Sequence, residues 1–123
     1  MPAPFLGRGE WALAERLKTE NPRRTRAWFQ AELAKKSSAY VFDEKALNAL
    51  GYGYLGDHDA KRASAVFELA VLAFPRSANC WDSLADAYEA LGNRQAALEA
   101  VRVAASLEQT SPVYRDRLRK LAR

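Results

Sequence analysis

Cysteine is almost missing from this chain: Cys80 is the only one in 123 residues. No intramolecular disulfide can form, and a lone thiol fits a reducing, cytoplasmic setting. Histidine is as scarce, with His58 alone. The sequence therefore holds no Cys-x2-Cys and no His-x3-His, and the common zinc ligand sets are excluded. A nucleophilic pair of Cys80 and His58 would lack a third, orienting group. Glycine and proline number only six and five, which argues against an all-β chain built on tight turns. No run approaches the roughly 18 apolar residues of a membrane span. The segment Met1–Arg8 has neither the basic nor the apolar region of a secretory signal. Phosphate loops, dinucleotide fingerprints, Ser-x-x-Lys and Gly-x-Ser-x-Gly are all absent. The expectation is a protein that is not an enzyme, binds no cofactor or metal, and has no membrane segment.

What is present reads as a globular helical chain. Hydrophobic residues make up 49% and charged residues 28%, enough to bury a core without disulfide or metal support. Apolar residues recur at helical spacing almost throughout, and no segment alternates with period two. Asn21-Pro22 and Ser111-Pro112 have the form of an N-cap followed by proline in the first turn. Asp43, Asp59, Ser77 and Asn93 each precede a helical run. Seven helices are expected, near residues 10–20, 22–38, 44–56, 60–73, 78–91, 94–107 and 112–121.

The helices repeat. Leu47, Leu50, Gly51, Tyr54, Ala63, Phe67, Ala70 and Pro75 are followed 34 residues later by Trp81, Leu84, Ala85, Tyr88, Ala97, Val101, Ala104 and Gln109. Asp59 and Asn93, the expected caps of each second helix, are also 34 apart. A helix–turn–helix period of 34 with large, Leu, small, Tyr, then Ala, aromatic, Ala, Pro is the tetratricopeptide pattern. The sequence thus resembles the tetratricopeptide-repeat family over residues 44–111. The small residues Gly51, Ala63, Ala85 and Ala97 would let helices cross closely. Tyr54, Phe67, Tyr88 and Val101 would fill the space between them. Pro75 would stop its helix. His58 stands where such repeats place a turn glycine, and histidine tolerates the left-handed conformation.

The fold expected is all-α, a short α-solenoid of antiparallel helix pairs. Residues 1–42 form a degenerate hairpin, because Arg16, Glu20 and Lys36 fall at positions that should be apolar or small. Its expected anchors are Trp11, Leu13, Leu17, Trp28, Phe29 and Leu33. Residues 43–111 hold two units, 44–77 and 78–111. Residues 112–123 form a cap with an apolar stripe of Val113, Tyr114, Leu118 and Leu121. The string from Phe42-Asp43-Glu44 through Phe74-Pro75 and Asp82-Ser83-Leu84 to Gly92 is further similar to the helical-repeat tail of some bacterial β-lactamase-like serine hydrolases and esterases. That resemblance implies a shared accessory module, since the catalytic motifs are missing.

In repeats of this type the first helix of each unit lines a concave groove. Those positions are Lys45, Asn48, Tyr52 and Leu55 in one unit, and Asn79, Asp82, Asp86 and Glu89 in the next. Asp82, Asp86 and Glu89 share one stripe by their spacing. The expected role is to bind a basic or extended protein segment, with Tyr52 and Leu55 supplying apolar contact. Charge reversal at Asp82 and Asp86 should then weaken capture without lowering the melting temperature. The Gly51-Tyr52-Gly53 run lies inside a helix and is expected to serve packing.

The formal charge of +4 is unevenly spread. Residues 1–40 carry eight basic and four acidic groups, residues 41–109 six and ten, and residues 110–123 five and one. Arg23, Arg24 and Arg26 crowd a helix start, where the dipole disfavours cations. Arg115 and Arg119 belong to a second basic patch. Basic ends and an acidic centre also suit self-association. Nucleic-acid binding is disfavoured, because the acidic centre repels phosphate.

Overall fold

The computed structural model describes residues 6–35 and 38–123. It contains seven α-helices: α1 (Arg8–Thr19), α2 (Pro22–Ala34), α3 (Glu44–Gly56), α4 (Ala60–Ala73), α5 (Ala78–Ala90), α6 (Arg94–Leu107) and α7 (Pro112–Leu121). Among the described residues there is no strand, and the protein is all-α. From α3 onward, the helices pack in chain order, α3 on α4, α4 on α5, α5 on α6 and α6 on α7.

The caps form where the sequence places them. Asn21, Asp43, Asp59, Ser77 and Asn93 each accept a backbone N–H three residues on with their side-chain oxygen, satisfying one donor that the first helical turn leaves unpaired. Ser111 caps α7 without a side-chain hydrogen bond. The connections repeat atom by atom at an interval of 34. The N–H groups of Asp57, His58 and Asp59 bond the carbonyls of Gly53, Leu55 and Tyr54. Those of Leu91, Gly92 and Asn93 bond Ala87, Glu89 and Tyr88 in the same pattern. His58 (φ 59°) and Gly92 (φ 78°) are both left-handed, as the turn requires.

The repeated small residues permit close helix approach. Gly51 is buried, and a Cβ there would lie 2.3 Å from the Phe67 ring. Ala63, Ala85 and Ala97 are fully buried. Among the described residues, two clusters make up the core. One gathers Ala63, Phe67, Leu84, Ala85, Ala97 and Val101, with Leu118 and Leu121 of α7 packed against it. The other gathers Leu13, Phe29, Leu47, Val66, Leu69 and Cys80.

The N-terminal pair departs from the period. α1 and α2 are joined by only Glu20 and Asn21, whereas α3–α4 and α5–α6 use three residues with a left-handed middle. α2 ends at Ala34, short of the expected 38, and residues 36 and 37 lie outside the described residues. Leu13 and Phe29 anchor the pair as expected, fully buried. Trp11 and Leu33 do not, being 42% and 41% exposed. The polar groups that spoil the repeat pattern have their own work. Arg16 stacks 4.4 Å over the Trp28 ring and pairs with Glu20 at 2.7 Å. Glu10 is buried, and its carboxylate accepts the N–H of Gly7 at 3.1 Å and of Asp43 at 2.9 Å. It therefore fastens the start of α1 to the approach of α3.

Candidate partner-binding face

The first-helix positions singled out from the sequence fall on α3 and α5, which touch, and the structure brings most of them together. Asn48 and Ser83 join the two helices, with the Ser83 hydroxyl donating to Asn48 Oδ1 at 2.7 Å. One turn on, the Tyr52 hydroxyl donates to Asp86. The Tyr52 ring sits edge-on to Phe67, centroids 5.1 Å apart, and stays 38% exposed. Burial and the Asp86 carboxylate push the Tyr52 pKa up to about 12. Lys45 and Asn79 are exposed. Leu55 is half-buried against the core cluster, so little of it faces outward.

The acidic stripe is not free. Arg117 of α7 lies across it, 2.8 Å from Asp82, 2.7 Å from Asp86 and 2.5 Å from Glu89. Its Nη1 also donates to the Asp82 carbonyl at 3.3 Å. A planar guanidinium presents its donors in a fixed fork on separate nitrogens, whereas an ammonium offers three from one rotatable point. Burial opposes the Arg117 charge, but the carboxylates outweigh it and raise its pKa. Burial raises the Asp82 carboxyl above its usual range, and the attraction of Arg117 only partly reverses this. Charge reversal at Asp82 and Asp86 would thus disturb α7 as well as any ligand, contrary to the expectation that the fold would be indifferent.

Arg117 is the residue whose role the sequence pattern did not reveal. The repeat carried the signal. Arg117 lies 34 residues after Ser83, and Asp82 lies 34 after Asn48. The α5–α3 contact of Ser83 with Asn48 thus recurs as the α7–α5 contact of Arg117 with Asp82.

The basic patches lie on α2 and α7. Arg23, Arg24 and Arg26 are exposed at the start of α2. Arg23 and Arg26 flank a cleft of about 230 Å³ floored by Leu17, Ala65 and Leu69. Glu68 shares that cleft and accepts the Tyr88 hydroxyl at 2.8 Å. On α7, Arg115 is exposed and Arg119 approaches Asp116 at 3.8 Å. Cys80 is buried, and burial pushes its thiol pKa up. His58 is exposed in the α3–α4 turn. Among the described residues no helix is long and apolar enough to cross a membrane.

Compared with known proteins, the chain matches no family model and no curated sequence.

Proposed function

We propose that the chain is a tetratricopeptide-type protein-interaction module, not an enzyme, and that the face shared by α3, α5 and α7 takes a basic segment of a partner protein. The observation that carries this reading is the charge imbalance in the cluster at its centre. Three carboxylates, Asp82, Asp86 and Glu89, meet one guanidinium, so this cluster keeps an excess of negative charge with Arg117 in place, while Arg94 and Lys120 line the cleft beside Glu89. Glu89 remains 45% exposed at its side chain. The exposed Tyr52 ring lies within the same seam, joined to Asp86, and an aromatic beside carboxylates suits a segment with cationic and apolar groups. The Ser83–Asn48 and Tyr52–Asp86 hydrogen bonds support the reading by joining α3 to α5, so these side chains are already ordered before a partner arrives.

The test is fluorescence anisotropy with a labelled arginine–serine decapeptide and its glutamate counterpart. The basic peptide should bind and the acidic one should not, with affinity falling as salt rises. Tyr52→Ala and Glu89→Gln should each weaken binding by about tenfold, or ~1.4 kcal/mol. Equal binding of both peptides, or no effect of either substitution, removes this reading.

A further inference from the structure

Helix α7 is held in an unusual way. None of its residues is buried. Its attachments are Arg117 on the α5 carboxylates, Leu118 and Leu121 against the core cluster, and Arg94 beneath its end. The Arg94 guanidinium donates to the carbonyls of Lys120, Leu121 and Arg123 at 3.1, 3.0 and 3.1 Å, satisfying oxygens that a helix C-terminus leaves unpaired. Beside these attachments a cleft of about 460 Å³ stays open, lined by Glu89, Arg94, Arg117, Lys120 and Leu121. The seat under α7 therefore recognises three things: a forked cation, two leucines one turn apart, and the carbonyl end of a helix.

We infer that α7 is a displaceable resident of this seat, and that the partner is an amphipathic helix bearing Arg-Leu-x-x-Leu, the pattern Arg117-Leu118-x-x-Leu121 shows. This rests on the proposed function, which assigns the face to a partner, and it specifies that partner. The incoming helix remakes the ion pairs and apolar packing that α7 gives up, and must further offset the advantage α7 has as a tethered segment. An arginine is required, since Nη1 serves Asp82 while Nη2 serves Asp86 and Glu89, and a lysine ammonium has no such fork. While α7 is seated it competes with the partner, so the resting chain binds less tightly than its seat allows.

The experiment uses the full chain and a fluorescein-labelled peptide of residues 110–123. The Arg117→Ala chain should bind the peptide at least about tenfold more tightly than the unaltered chain. The peptide carrying the same substitution should lose that binding. Arg117→Lys, which keeps the charge and guards against a chain that fails to fold, should give an intermediate gain. In the complex, amide hydrogens of the chain's own α7 should exchange faster. Equal affinity of the unaltered and Arg117 chains, or of the two peptides, overturns the inference. If the arginine–serine peptide still binds through Tyr52 in that case, the face remains a partner site and only the displacement of α7 is lost. Failure of both peptides removes both readings.

Discussion

His58 and Gly92 occupy equivalent turns 34 residues apart, and both hold a left-handed backbone, φ 59° and 78°. A side chain in that conformation costs roughly 1–2 kcal/mol, which glycine escapes. His58→Gly should therefore raise the melting temperature, and Gly92→Ala should lower it, each by about 1 kcal/mol of stability. Thermal unfolding followed by circular dichroism checks both signs. A loss of stability in His58→Gly would show that the imidazole makes a contact worth more than the strain.

Gly51 leaves the space that the Phe67 ring occupies. Gly51→Ala should destabilise by about 1–3 kcal/mol, the usual cost of overpacking. Gly51→Ala combined with Phe67→Val should recover part of this, since the pair then matches Ala85 and Val101 of the next unit. A double-mutant cycle by urea unfolding measures the coupling, and additive effects would refute the shared space.

Arg117 ties α7 to α5. Arg117→Ala should cost about 1–2 kcal/mol, because it strips hydrogen bonds from partly exposed carboxylates. The loss should be concentrated in α7, where amide exchange speeds up while α3 and α4 stay protected. Reversing Asp82 and Asp86 to lysine should lower the melting temperature as well. An unchanged melting temperature would mean that the ion pairs contribute nothing net.

The pH dependence of stability should reveal opposing carboxylates. Hydrogen bonds from Ser38 and Lys35 hold Glu32 below its ordinary value of 4.5. Burial raises Asp59, but the hydrogen bonds and charge of Arg62 outweigh it and hold it below 3.8. For both, the folded state favours the ionised form. Their contribution is present above those ordinary values and is lost as pH falls through the lower folded values. Asp82 runs the other way. Its raised value favours folding when it is protonated, and that benefit disappears as pH climbs from 3.8 through the folded value. Glu32→Gln and Asp59→Asn should flatten the acid limb of a urea-midpoint profile, and Asp82→Asn should steepen it. The same change of slope in all three variants would contradict these assignments.

The fold was legible because its main signals are local. Asp43, Asp59, Ser77 and Asn93 mark helix starts by side-chain chemistry that acts within one turn. The 34-residue spacing of small and aromatic residues encodes the crossings of α3 with α4 and α5 with α6. The N-terminal pair was harder, because its polar residues are satisfied over a distance. Glu10 reaches the backbone of Asp43, and Arg16 reaches the face of Trp28. On the candidate face, periodicity brought Asn48, Tyr52, Asp82, Asp86 and Glu89 onto one surface. It could not show that Arg117 fills the stripe, since a charged residue on an exposed helix carries no hydrophobic pattern. Only the correspondence with Ser83 and Asn48 one unit earlier held that information.

The two units solve one packing problem in two ways. In the first, no side chain at position 51 meets a phenyl ring at 67, and in the second a methyl at 85 shares its cluster with the smaller Val101. A change at either member alone passes through an overfilled or hollow crossing. These sites can therefore change only in matched steps, and the pairs 51/67 and 85/101 are where co-variation among related sequences should be strongest.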